Sequence, residues 1–361
     1  MSLRSEVIQE QGHIYYNAIL YNSGKAPILT EVTDQRNQAI VDVPHEYEAS
    51  IIRFLVSGSF IPIFIPDFQE PPAPIPTTTI YSVTLTNKVT NAINQTFVVY
   101  TPSRSLNVPP YLPGYWAYQD FLDDVNTALA TSFAAVQAGS ACTIAPRFYF
   151  NELNELIVGF AEDTYLTTNP SGISVSMNAS LFNFFVSFPS DYFGDDQPNG
   201  VDYTFSINPN TAGLVPPAPR YDFPISIATL PQSLVRFTQE FNTLYNWNSV
   251  RSIVFTSGRI PVNNEYIPNS VTSSQDGSVS TINAPILTDF EPEVGQSTGS
   301  NQGYLQYVPQ IYRIFNLLSN LPLKVIDLHV YWSTKNGKLY PLYLAQGATM
   351  SVKIMFRKRK T

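Results

Sequence analysis

Side chains able to do chemistry are few in this chain of 361 residues. The histidines are His13, His45 and His329, and Cys142 is the single cysteine. No two of these four share the short spacing that brings zinc ligands together, so the sequence argues against a structural zinc site. One cysteine also rules out an internal disulfide. Carboxylates come closer to a catalytic pattern: Asp123/Asp124, Glu152/Glu155, Asp195/Asp196 and the run Asp289-Phe-Glu291-Pro-Glu293. Paired carboxylates do general acid–base work, and on a β-sandwich they could hydrolyse glycosides. Each pair also has a plainer role, at a helix start, a hairpin turn or a solvated loop. Asp195, Asp196 and Asp202 offer calcium-type oxygens but lack EF-hand spacing. Trp116, Trp247 and Trp332 could stack on sugar rings, although aromatics in a strand-rich chain more often fill the core. His329 alternates with apolar neighbours and reads as a core histidine. Glycine-rich phosphate loops, His-Glu-x-x-His and Gly-x-Ser-x-Gly are all missing. The expectation is a protein that is not an enzyme and needs no cofactor or metal.

The elements that would position these residues are mostly strands. His13–Tyr21, Ile51–Val56 and Ile61–Ile65 are β-branched and aromatic, and Glu70–Pro76 is a stiff proline-rich connector. Thr79–Thr86 alternates, with Phe97–Tyr100 as its partner. The best helical spacing runs over 116–137, with Phe121, Leu122, Val125, Ala128, Leu129, Phe133 and Val136 on one face and Gly139 as its stop. Arg147–Phe150 and Leu156–Phe160 read as a hairpin, Ile173–Met177 as a strand, and Asn178 as the cap of a short helix. Leu230–Tyr245 reads as a helix and Asn263–Asn283 as a long loop. Val250–Phe255, Tyr304–Val308, Val325–Trp332, Lys338–Leu344 and Thr349–Phe356 read as strands, with Asn336-Gly337 suited to a type I′ turn. The fold class is therefore mainly β: an antiparallel β-sandwich or jelly roll, in one or two copies, with two or three helices in connecting segments. The expected organisation is a β-rich region over 1–190, a Pro/Asn/Asp-rich linker or long loop over 191–220, and a second β-rich region over 221–361.

Composition points toward assembly. Lys and Arg number 20 and Asp and Glu 28, for a net charge of −8, and charged residues are only 13% of the chain. That is about half the usual share. Surfaces that meet partners are rich in aromatics and poor in Lys and Glu, and this chain holds 22 Tyr and 23 Phe. Charge is also uneven. Lys353–Thr361 carries five basic residues and no acid, which leaves −13 on the remainder. Lys353, Arg357, Lys358, Arg359 and Lys360 are thus the candidate inward-facing contacts for nucleic acid or a partner, of a salt-sensitive and sequence-blind kind. The plainer alternative is a solvated end after a final strand. The polar amino-terminal residues carry no leader pattern, and the apolar run Ile51–Pro66 is too interrupted to span a membrane as a helix.

Three stretches carry a resemblance. They are Pro44–Phe54 with Ile61–Pro66; Trp247–Glu265, including Ser257-Gly-Arg-Ile-Pro261; and Ile286–Glu291 followed by Tyr307–Arg313, Pro341–Leu344 and Ser351–Arg357. Together they resemble penton or minor capsid proteins of small tailless icosahedral DNA viruses, of the polinton-like virus and virophage kind. The resemblance implies a jelly-roll structural protein of the virion, assembled inside the host cell. It further implies a homo-oligomer, with a pentamer favoured, beside the major capsid protein. It implies no catalytic residue. Receptor attachment through Arg-Gly-Asp is not supported, because the triplet is missing. The alternative from a different class is a receptor- or glycan-binding β-sandwich spike module.

Overall fold

A computed structural model describes residues 1–10, 12–57, 80–99, 115, 117–151, 156–208, 234–247, 250–262, 271–272, 279–280, 286–291, 304–334 and 339–359. Nine strands drawn from both ends of the chain build one sandwich. They are β1 (Ser2–Glu10), β2 (His13–Tyr21), β3 (Glu31–Gln35), β4 (Tyr47–Ser57), β5 (Val250–Thr256), β6 (Ile286–Phe290), β7 (Tyr304–Tyr307), β8 (Val325–Thr334) and β9 (Thr349–Lys358). One sheet runs β1-β2-β9-β4-β7, with Phe315–Asn316 also paired to β4. In the facing sheet β8 lies between β5 and β3, β6 lies beyond β5, and Leu339–Pro341 extends the β3 side. From β2 onward the chain crosses between the sheets at nearly every step, which is the jelly-roll winding.

Alternation of side chains decides which face is buried. Ile14, Tyr16, Ala18 and Leu20 of β2 point inward, as do Ile326, Leu328, Val330 and Trp332 of β8 and Met350, Val352, Ile354 and Phe356 of β9. Phe54 and Phe255 meet edge to face across the two sheets at 4.8 Å. On β4 an extra residue, Ile52, breaks the register with β9 between Lys353 and Ile354.

A second core forms entirely within the residues between β4 and β5. Helix α1 (Tyr118–Val136) packs its apolar stripe against the strands Ser82–Asn87, Ile93–Phe97 and Arg147–Phe150. Asp120 lies in its first turn, where the helix dipole favours an anion. Beyond its end Gly139 takes a φ of +79°, a left-handed turn that glycine adopts without strain. Phe148, Phe185, Phe188, Phe205 and Phe237 pack mostly edge to face at the centre of this core. Asn178 caps the single-turn helix Ala179–Phe182, as its sequence suggests.

Several expectations change. The cores do not divide the chain into 1–190 and 221–361. One gathers 14–56 with 250–356 and the other lies within 81–247, because β4 and β9 pair across the whole length of the chain. The start of the expected 191–220 linker is built into a sheet: Ser190–Tyr192 and Tyr203–Phe205 pair, and Phe205 and Ile207 are buried. Residues 209–220 lie outside the described residues. Within the expected helix Leu230–Tyr245, the described residues from Leu234 onward are not one long helix. Leu234–Thr238 is a strand on Ile157–Glu162, and a single helical turn follows at Leu244–Trp247. The free edge of Ile157–Glu162 and the aromatic slot for Phe237 outweigh local helix propensity there. The expected strand Ile61–Ile65, connector Glu70–Pro76 and turn at Asn336-Gly337 also lie outside the described residues. Among the described residues, no helix is long and apolar enough to cross a membrane.

Candidate functional site: the C-terminal strand and the sandwich flanks

The basic carboxyl end is sheet as far as Lys358. Lys353, Arg357 and Lys358 belong to β9, an interior strand held by β2 on one side and β4 on the other. The Lys353 ammonium lies 4.4 Å from the centre of the Tyr15 ring, a cation–π distance. Arg357 pairs with Glu48, the residue opposite it on β4. Lys358 reaches Glu46 at 2.9 Å, and that hydrogen bond and charge hold the Glu46 carboxyl below its usual range. Arg359 donates from its backbone nitrogen to Glu46 at 2.8 Å and from its guanidinium to the Leu317 carbonyl at 2.9 Å. Four of the five predicted contacts are therefore brought together, but each already has a partner within the sandwich. Lys360 lies outside the described residues.

The other chemical candidates do not converge. Trp247 and Trp332 are fully buried, so neither can serve as a sugar platform, and Trp116 lies outside the described residues. Asp202 is buried and accepts hydrogen bonds from the backbone nitrogens of Ala179 and Gln197, fixing a turn. No group of three metal-type ligands occurs among the described residues. Burial raises the Cys142 thiol above its ordinary value, away from the reactive thiolate. His329 is not a core residue. It lies on the opposite face of β8 from Leu328 and Val330, its side chain 36% exposed, with Glu31 at 3.4 Å and Asp327 at 3.8 Å.

Two buried carboxylates that the sequence did not single out serve the fold. Asp327 accepts from Ser257 Oγ and from the backbone nitrogens of Gly258 and Arg259, both within 2.9 Å. Glu162 accepts from the Thr143 nitrogen at 2.6 Å, the Ile144 nitrogen at 3.2 Å and the Thr143 hydroxyl. No local pattern marks either residue, since both tie together segments remote in the chain.

The two flanks of the sandwich differ in chemistry. On the β1 side a polar clasp joins the sheets. Asp34 Oδ2 accepts from Ser5 at 2.7 Å, Arg36 Nε at 2.9 Å and Tyr16 at 3.2 Å. The β7 side is closed by the Arg313–Asp289 ion pair and by Phe290 stacked on Tyr307 at 4.2 Å. Past β7 the chain leaves the sheet. Tyr307 pairs with Phe54 and Phe315 with Ala49, so the seven residues 308–314 span only four on β4 and are pushed outward. This excursion exposes Val308 by 56%, Ile311 by 89%, Tyr312 by 43% and Ile314 by 41%.

Charge follows the two cores. Residues 81–247 contain 13 acidic and 5 basic side chains, and the rest of the chain contains 15 of each. The full −8 therefore belongs to the inserted segment, and the sandwich sequence is neutral.

The family model for Sputnik minor capsid protein V18/19 matches residues 14–358. The chain belongs to that family. It is similar to structural protein V19 of Sputnik virophage, with 28% identity over 214 residues that cover 59% of this chain and 94% of V19. The uncharacterised protein V18 of the same virophage is 32% identical over 149 residues, covering 36% of this chain and 87% of V18. A chain of the Sputnik virophage particle solved by cryo-electron microscopy superposes with a TM-score of 0.76 at 28% identity, over 97% of this chain and 98% of that one. The mavirus penton protein shares the fold, with a TM-score of 0.67 at 17% identity, over 97% of this chain and 100% of that one. Membership makes this chain a structural, minor component of an icosahedral viral capsid, located in the virion. A glycan-binding spike is not favoured.

Proposed function

We propose that the chain stands at the capsid vertices as a ring of identical copies, a pentamer, packed against the major capsid protein. The observation that carries this reading is the neutral jelly roll made from both ends of the chain, which keeps the fold of the mavirus penton protein over almost its entire length. In this reading residues 81–247 form an inserted domain, and the protein works by packing and not by catalysis. The basic end retains a minor part. Lys353, Arg357, Lys358, Arg359 and Lys360 would add weak contact with packaged nucleic acid, reduced by the pairing of Arg357 with Glu48 and of Lys358 with Glu46. A reconstruction of particles carrying a tagged copy tests the placement. Density for the tag at the fivefold axes is expected, and density confined to the facets would overturn it.

A further inference from the structure

We infer that neighbouring copies join flank to flank, the apolar excursion 308–314 of one sandwich seating on the β1–β2 side of the next. The inference rests on the ring proposed above and specifies its surface. A closed ring needs two different, complementary surfaces on each copy, and the sandwich has two unlike flanks. On one, Val308, Ile311, Tyr312 and Ile314 stand away from β4. Arg313, the charge among them, is neutralised by Asp289. Four large apolar side chains exposed within seven residues are unusual on a monomer and mark a contact.

On the opposite flank β1 is an edge strand of nine residues, in unbroken register with β2 from Ser2–Tyr21 to Glu10–His13. Among the described residues nothing pairs with its outer edge. A long, regular edge free of proline and bulges is a template for a further strand. Its outward face continues onto β2, and Ile8 of β1 and Ile19 and Tyr21 of β2 are exposed by 37%, 46% and 42%, beside the exposed Ser2, Arg4 and Glu6 of β1. The β1–β2 side thus offers three apolar side chains among charged ones to the excursion of the next copy.

Two unlike flanks on one chain fit a second copy as the occupant, and charge permits it. The sandwich sequence carries 15 acidic and 15 basic residues, so two sandwiches approach without net repulsion. The inserted segments, each at −8, repel and stay apart. The polar clasp of Ser5, Asp34 and Arg36 holds β1 on its own sandwich, so the edge is presented as a rigid surface and not exchanged as an arm.

The test uses the full chain. Ile8→Cys with Ile311→Cys in one molecule should cross-link on oxidation into a ladder of multimers on a denaturing gel, while neither single variant does. Cys142 is buried and does not compete. Ile311→Asp should weaken self-association about ten-fold or more in sedimentation velocity, with the circular dichroism spectrum unchanged. Val89→Asp, in an exposed turn of the inserted segment, should leave association as in the wild type. Should Ile311→Asp misfold, Ile311→Ser and the cross-link decide. Unchanged association of a folded Ile311 variant, or cross-linking of Ile311→Cys to itself alone, overturns the flank assignment and leaves the ring standing. A wild type that stays monomeric up to its solubility limit overturns the ring, and this contact with it.

Discussion

Asp327 holds the loop after β5 by meeting three donors at once, the Ser257 hydroxyl and the backbone nitrogens of Gly258 and Arg259. Asp327→Ala would leave these donors without their acceptor and should cost about 3 kcal/mol, read as a lower urea midpoint. Asp34 makes a different point. Burial pushes its carboxyl up, but hydrogen bonds from Arg36 and Ser5 and the Arg36 charge outweigh this and hold it below an ordinary aspartate's 3.8. A carboxyl depressed in the folded state contributes stability that is whole above the unfolded value and is lost as pH falls through the folded one. Asp34→Asn should therefore flatten the loss of stability below about pH 4, measured as urea midpoint against pH. Both carboxylates escaped the sequence reading for one reason. Each accepts from donors remote in the chain, Asp327 from the loop after β5 and Asp34 from Ser5 and Tyr16, and spacing along the chain does not report such meetings. Asp195/Asp196, a pair that spacing did offer, is exposed in a loop.

Among elements, α1 was legible because its apolar spacing repeats over five turns, and Phe121, Leu122, Val125, Leu129, Phe133 and Val136 are all buried. Leu234–Thr238 was not, because five residues are too short to separate a helical from an alternating period. Its partner strand explains the outcome. Gly159 has no side chain, and the Phe237 ring occupies the space that a methyl there would fill. Gly159→Ala should therefore destabilise by about 1–3 kcal/mol through overpacking, seen as a lower thermal midpoint. The last strand was legible, but its charges were not. Arg357 and Lys358 sit opposite Glu48 and Tyr47, and Arg359 bonds to Glu46 and Leu317. Deleting Arg357–Lys360 should lower the melting temperature by several degrees, whereas Lys358→Gln should leave it unchanged, because that pair is solvent-exposed. If the basic end touches packaged nucleic acid, Lys358→Gln particles should release genome at lower salt than wild type.

At the scale of the whole molecule, the chain leaves the sandwich after β4 and returns at β5, with a complete second core in between. Residues 80–247 should fold when produced alone, giving a cooperative thermal transition and a near-ultraviolet signal from the packed aromatics. A broad transition without that signal would show that this core depends on the sandwich. The division of charge has a second consequence. The sandwich joined without residues 81–247 should be least soluble near neutral pH, where its sequence charge vanishes, while the intact chain keeps its −8.

Sequence alone determined the strand-rich class, the long helix and the poverty of reactive groups, because alternation, helical spacing and composition are local properties. It also showed a scarcity of charge suited to assembly, and its short motifs were enough to resemble the family to which the chain belongs. Only the tertiary structure decided where the cores lie, which flank is apolar and what the basic end lies against. Each of these depends on pairing between distant residues, most plainly β4 with β9, across roughly three hundred positions of chain. The charge imbalance that linear order placed between body and tail lies instead between an acidic insertion and a neutral sandwich, because strand pairing set Glu46 and Glu48 beside the residues that had looked like a free arm.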